Sequence, residues 1–189
     1  FICISATSFQ SIFSKLFPPE IIGPMFEHYM RNAMLALMAD QSNPGTLVDI
    51  PKIFTDKDFM QTRLEKVTDP LVKTFWLKEW AGATGQTKSD MLGYVVSKVG
   101  RFVENETMRN IIGQVKNSFD LETIMNEKKI LLANLSKGLT GELNSSLLGL
   151  ILVSKMQIAA LRRGGIPENQ RNDFYLYIDE FQNFTTNSV

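Results

Sequence analysis

The chain has little of what builds metal or thiol chemistry. Among 189 residues there is one cysteine, Cys3, and one histidine, His28. A single cysteine excludes an intramolecular disulfide framework and a cysteine-rich zinc site. A single histidine argues against a histidine-based metal centre or triad, so both residues are read as structural. A reducing compartment is the default for such a chain. Charge of one sign is also lacking: 20 basic side chains face 20 acidic ones, for a formal net charge of zero. A free-standing nucleic-acid binder usually carries a basic excess, so any DNA contact has to come from a local patch or from elsewhere. No signal peptide is visible. The longest apolar run, Leu147 to Val153, is far short of the ~20 residues that span a bilayer, so no membrane segment is expected. There is no initiator methionine. The chain starts at Phe1 in an apolar stretch and stops at Val189 in a polar one, as expected of a piece of a larger protein.

What is present is a core-forming composition. Hydrophobic residues are 44% and charged residues 21%, which excludes a disordered tail. The length suits one ordinary domain or two small ones.

The first two thirds carry helical spacing. Phe9, Ile12, Phe13, Leu16 and Phe17 predict a helix over Ile4 to Phe17, stopped by Pro18 and Pro19. Met25 to Ala39 is rich in helix formers. Thr55 with Asp58 predicts a start for a helix to about Lys66. Thr68, Asp69 and Pro70 predict another, carrying Phe75, Trp76 and Trp80. Thr87 with Asp90 predicts a long helix to about Glu104, and shorter ones cover Met108 to Gly113 and Asp120 to Met125. Met30, Met34 and Met38 at four-residue steps read as a buried stripe or as an adaptable binding face. The Phe75, Trp76 and Trp80 group reads as core or as a docking patch.

The pattern then changes. Lys129 to Leu135 and Phe174 to Ile178 are short apolar runs, the form of strands buried on both faces. Between them, Glu142 to about Leu161 predicts a helix ended by Gly164 and Gly165. Strand, helix, strand predicts a parallel crossover unit.

The second run ends in two carboxylates, Asp179 and Glu180. A strand that delivers acids to its C-terminal edge is the form of a Walker B motif. Asp179 would hold the magnesium of a bound nucleotide, through water. Glu180 would polarise the attacking water. The plain alternative is two solvated acids at a strand end, since a short motif is a hypothesis until its context is known. Gln182 and Asn183 follow directly and would read the nucleotide state, or are simple loop polarity. Arg101 or Arg109 could reach a neighbour's phosphate, or pair on a helix surface. No Gly-x-x-x-x-Gly-Lys-Ser/Thr loop occurs, so the phosphate-binding Walker A residues are absent. Ser136 to Gly141 lies between strand and helix, but its glycine spacing does not match that motif.

Ile130 to Gly138 (ILLANLSKG), Glu142 to Gly149 (ELNSSLLG) and Phe174 to Phe184 (FYLYIDEFQNF) together resemble the hexameric DNA-pumping ATPases of conjugation, the coupling proteins of type IV secretion. Phe26 to Asn32, Thr55 to Phe59, Thr68 to Pro70 and Arg109 to Gln114 are similar to the same group. The resemblance implies an α/β chain, predominantly helical. Residues 1–126 would be an all-α insertion, and 127–189 a partial RecA-like parallel-sheet unit ending just after Walker B. It implies ATP and Mg2+ as cofactors of the parent protein, with neither bound to this piece alone. DNA, the secretion machinery and a homo-hexameric ring would be the partners. The location would be cytoplasmic, at the inner face of a bacterial membrane. The rival reading is a non-catalytic helical module that binds a partner protein.

Overall fold

In the computed structural model, residues 6–18 and 20–184 are described, with side chains from residue 11 onward. Cys3, Pro19 and the start of the first predicted helix lie outside the described residues. The chain divides into two compact units. One is Phe17–Val115. The other combines the helix at 6–16 with residues from 116 onward.

The first unit holds α2 (Pro24–Met38), α3 (Asp49–Thr55), α4 (Lys57–Leu64), α5 (Pro70–Thr74), α6 (Gly85–Val103) and α7 (Glu106–Ile112). Side-chain caps fix several starts. Asp56, Asp69, Thr84 and Asn105 each accept a hydrogen bond from a first-turn amide, satisfying donors that have no partner inside the helix. Two predicted starts are therefore displaced. Asp56 rather than Thr55 caps α4, and Thr84 rather than Thr87 caps α6. The Thr55 hydroxyl instead donates to the Pro51 carbonyl at 3.1 Å, closing α3.

The α2 stripe buries Phe26, Tyr29, Met30, Ala33, Met34 and Leu37, the three-and-four spacing of a core-facing helix. Around it α3 and α6 pack. After α5 the winding widens into a π-turn, Phe75–Trp80. Its rings Phe75, Trp76 and Trp80 are buried together. They form an edge-to-face cluster with Tyr29 and Phe54, with centroids as close as 5.1 Å. Trp76 Nε1 donates to the Asn32 carbonyl at 3.4 Å. Met30, Met34 and the aromatic rings are thus core, whereas Met38, at the end of the expected stripe, is half-buried.

The second unit is organised by α10 (Glu142–Arg162), against which α1 (Ala6–Leu16), α8 (Leu121–Asn126) and the short α9 (Lys137–Thr140) pack. Leu147, Leu150, Ile151, Val153, Met156 and Ala159 of α10 are buried. Gly141 precedes it at φ 83°, a conformation that suits glycine. Glu142–Gly165 is long and apolar enough to cross a membrane by length and composition, and half of its apolar window is buried inside the protein. Such burial is that of a core helix.

The parallel-sheet expectation is overturned. Among the described residues there is no strand, and the regular structure is all α. Lys129 to Leu135 and Phe174 to Ile178 belong to neither helix nor ladder. No backbone hydrogen bond joins them. The physical reason lies in coverage. Leu131 and Phe174 pack toward the α8–α10 cluster. Their neighbours Ile130 and Leu132 are 88% and 89% exposed, and Tyr177 is 89% exposed. A strand buried on both faces needs a second layer and flanking strands, and only the α10 side is present.

Candidate functional site

The candidate acids reach their place through the second unit. Its entry is tied at the C-terminal end of α10. Arg163 donates from Nε to Asn126 Oδ1 at 2.9 Å and from a terminal nitrogen to the Asn172 carbonyl. Asn172 Nδ2 donates to the Asn126 carbonyl at 2.6 Å. These bonds start the 173–180 segment beside α8. Phe174 then packs on Leu121, Ile124, Met125, Met156 and Ala159, where Leu131 of the earlier segment also packs.

At the other end of α10 the two segments finish together. The fully buried Ser145 donates from Oγ to the Leu135 carbonyl at 2.5 Å. Leu131 thus lies toward the Met156 end of α10 and Leu135 at its Ser145 end. Phe184 lies on Gly149, where an added Cβ would meet its ring at 2.1 Å. The two segments therefore run in the same direction along α10, without pairing.

Between them lies an open cleft of about 530 Å3, with Asn134, Ser136, Lys137, Asp179 and Glu180 among the polar residues that line it and Leu152, Val153 and Met156 among the apolar ones. Glu180 occupies the left-handed region at φ 49°, ψ 45°. Its amide donates to Asp179 Oδ1 at 3.0 Å. Its carboxylate accepts from Asn183 Nδ2 at 2.9 Å and lies 3.9 Å from Lys137 Nζ. Lys137 also reaches Glu142 at 3.4 Å. Asp179 is exposed.

The predicted residues are thus brought together in part. Asp179, Glu180 and Asn183 share one turn. Gln182 is exposed and turns, with Asn183, toward a smaller cleft lined by Lys15, Leu16, Glu142 and Ser146. Among the described residues no group of three or more acids, histidines or cysteines could hold a metal. Two carboxylates still suit Mg2+, which takes one or two acids and keeps water and phosphate oxygens as its other ligands. Lys137 was not singled out from the sequence as a site residue. Its signals there are its place in the loop between the first apolar run and the helix, and its position within the ILLANLSKG stretch. No protein-family model, no curated protein and no solved structure matches this chain.

Proposed function

We propose that this chain is a segment of an ATP-driven motor that moves DNA, or a DNA–protein complex, through a bacterial conjugation or type IV secretion machine. One observation carries the reading. The acid pair Asp179–Glu180 ends an apolar extended segment, and Glu180 meets Lys137 at the end of a second segment lying the same way along α10. Asp179 would hold magnesium through water, and Glu180 would orient and polarise the water that attacks the terminal phosphate. Asn183, already bonded to Glu180, would couple its carboxylate to the bound nucleotide, with Gln182 beside it. The phosphate grip would come from polypeptide outside this sequence. The motor would work as a ring of copies, in the cytoplasm at the inner membrane face.

The second reading is a helical module that binds a partner protein. It is favoured by the all-α character of the described residues and by the uncovered side chains of Ile130, Leu132, Tyr175 and Tyr177. Sequence upstream of Phe1 separates the two. The motor requires a Gly-x-x-x-x-Gly-Lys-Ser/Thr loop there, and a reading frame without one contradicts it. The isolated chain is expected to lack micromolar ATP affinity, and a calorimetric titration that finds it would place the phosphate grip within these residues instead.

A further inference from the structure

The first unit contains a pocket of about 370 Å3 whose lining includes two arginines from different helices, Arg63 at the end of α4 and Arg109 on α7. We propose that this pocket binds the phosphate group of a small phosphate monoester. Each guanidinium is already oriented by one bond to a backbone carbonyl. Arg63 Nη1 donates to Asn43 at 2.5 Å and Arg109 Nη1 donates to Val103 at 3.0 Å. Neither has a carboxylate within ion-pair distance among the described residues. A guanidinium presents five donors in a planar fork that matches phosphate oxygens, so each keeps donors in hand after its tether. Arg63 is further fixed by lying 5.0 Å over the Phe59 ring.

One carboxylate, Asp49, also lines the pocket. Its Oδ2 accepts from the Thr46 amide at 2.6 Å and from the Thr46 hydroxyl at 3.0 Å. Two cations therefore face one acid that is already hydrogen-bonded, and the local balance favours an anion. Gly113 forms part of the wall at the end of α7, where its amide donates to the Arg109 carbonyl at 2.9 Å, and a Cβ there would lie 3.1 Å from Val48. The pocket volume lies at the lower end for small-ligand sites. Its cationic lining is this pair of arginines, with Lys52 beside it over the same Phe59 ring at 4.4 Å, which is shorter than the basic stripe that a nucleic-acid backbone needs. Size and lining select a small monoester over a polymer. The site is independent of Asp179 and Glu180 and of the motor reading.

The test is an NMR titration of the whole chain with inorganic phosphate and with a nucleoside monophosphate, against sodium chloride at matched ionic strength. The expected result is a saturable shift of the Thr46 and Gly113 amides and of both arginine Nε–H signals. Affinity is expected on the order of a millimolar for phosphate, and as tight or tighter for the monoester. Arg109→Gln, at an exposed position, should weaken binding about tenfold or more with an unchanged melting temperature. Arg109→Lys should restore part of it. Arg63→Gln gives the same loss if the fold survives removal of the Asn43 bond, and Arg109→Gln decides the matter if it does not. Shifts no larger than those from chloride overturn the proposal, as does full affinity in Arg109→Gln. Tight binding of a single-stranded oligonucleotide without a terminal phosphate, at these same residues, overturns the choice of a monoester.

Discussion

Replacing Gly149 by Ala should have opposite effects depending on what occupies position 184. In the structure the new Cβ would lie 2.1 Å from Phe184 Cδ1, 2.5 Å from Cε1 and 2.9 Å from Cγ. All three are shorter than non-bonded carbon atoms tolerate, so the ring has to leave by about an ångström or more. Overpacking of this kind costs about 1–3 kcal/mol. Against it, Gly→Ala inside a helix gains about 0.5–1 kcal/mol. Gly149→Ala alone is therefore expected to be destabilising by up to about 2.5 kcal/mol, or to release Phe184 and leave the turn at 181–183 unprotected. In a Phe184→Ala background the clash is gone and only the helix term remains. The same substitution should then raise the melting temperature of this unit by about 2–8 °C. The assay is a double-mutant cycle by thermal unfolding, with hydrogen exchange at 181–184 as the local readout. The coupling should be about 1–3 kcal/mol. Equal effects of Gly149→Ala in both backgrounds, with exchange at 181–184 unchanged, would refute the seating of the acid-bearing segment on α10.

Two further outcomes follow from the packing and the caps. Trp76 is 1% exposed at the centre of the aromatic cluster. Trp76→Ala should cost the first unit about 3–5 kcal/mol, read by chemical denaturation. Asp120 caps α8, accepting from the Thr123 hydroxyl at 2.7 Å and the Thr123 amide at 2.8 Å. The hydroxyl bond first, and then the amide bond, hold its carboxyl below the ordinary value. A depressed carboxylate contributes stability above its unfolded pKa of about 3.9, and that contribution is lost as pH falls through the lower folded value. Asp120→Ala should therefore cost about 1 kcal/mol at pH 7 and progressively less below pH 4. A cost that stays constant down to pH 2 would refute the charged cap.

Much of the helical layout was open to reading from spacing and caps, because those signals are local. Asp69 before Pro70 and the glycines after Arg163 act within one turn of their own positions. The helix α3 was missed because Pro51 hides its period, although proline in a first turn forfeits no bond. The sheet was misread for a different reason. A continuous apolar run says that a segment is extended and has apolar neighbours. It does not say whether those neighbours cover one face or two, and here α10 covers one. The acid turn was legible as a motif, whereas the contact of Lys137 with Glu180 joins residues 43 positions apart. Arg63 and Arg109 share a pocket across a similar distance. Periodicity carries no trace of contacts that only packing creates.

In the proposed motor, Asp179 and Glu180 are the working carboxylates. The direct measurement is steady-state ATP hydrolysis by the complete protein carrying Glu180→Gln, with nucleotide affinity measured on the same sample. Gln keeps the shape and the bond to Asn183 but cannot take a proton from water, and it acts where the transition state differs from the ground state. The account predicts a loss of turnover of about a hundredfold or more with nucleotide affinity nearly unchanged. Asp179→Asn should instead weaken Mg2+-dependent nucleotide binding. Wild-type turnover and DNA transfer in the Glu180→Gln protein would contradict the account and leave the helical interaction module in its place.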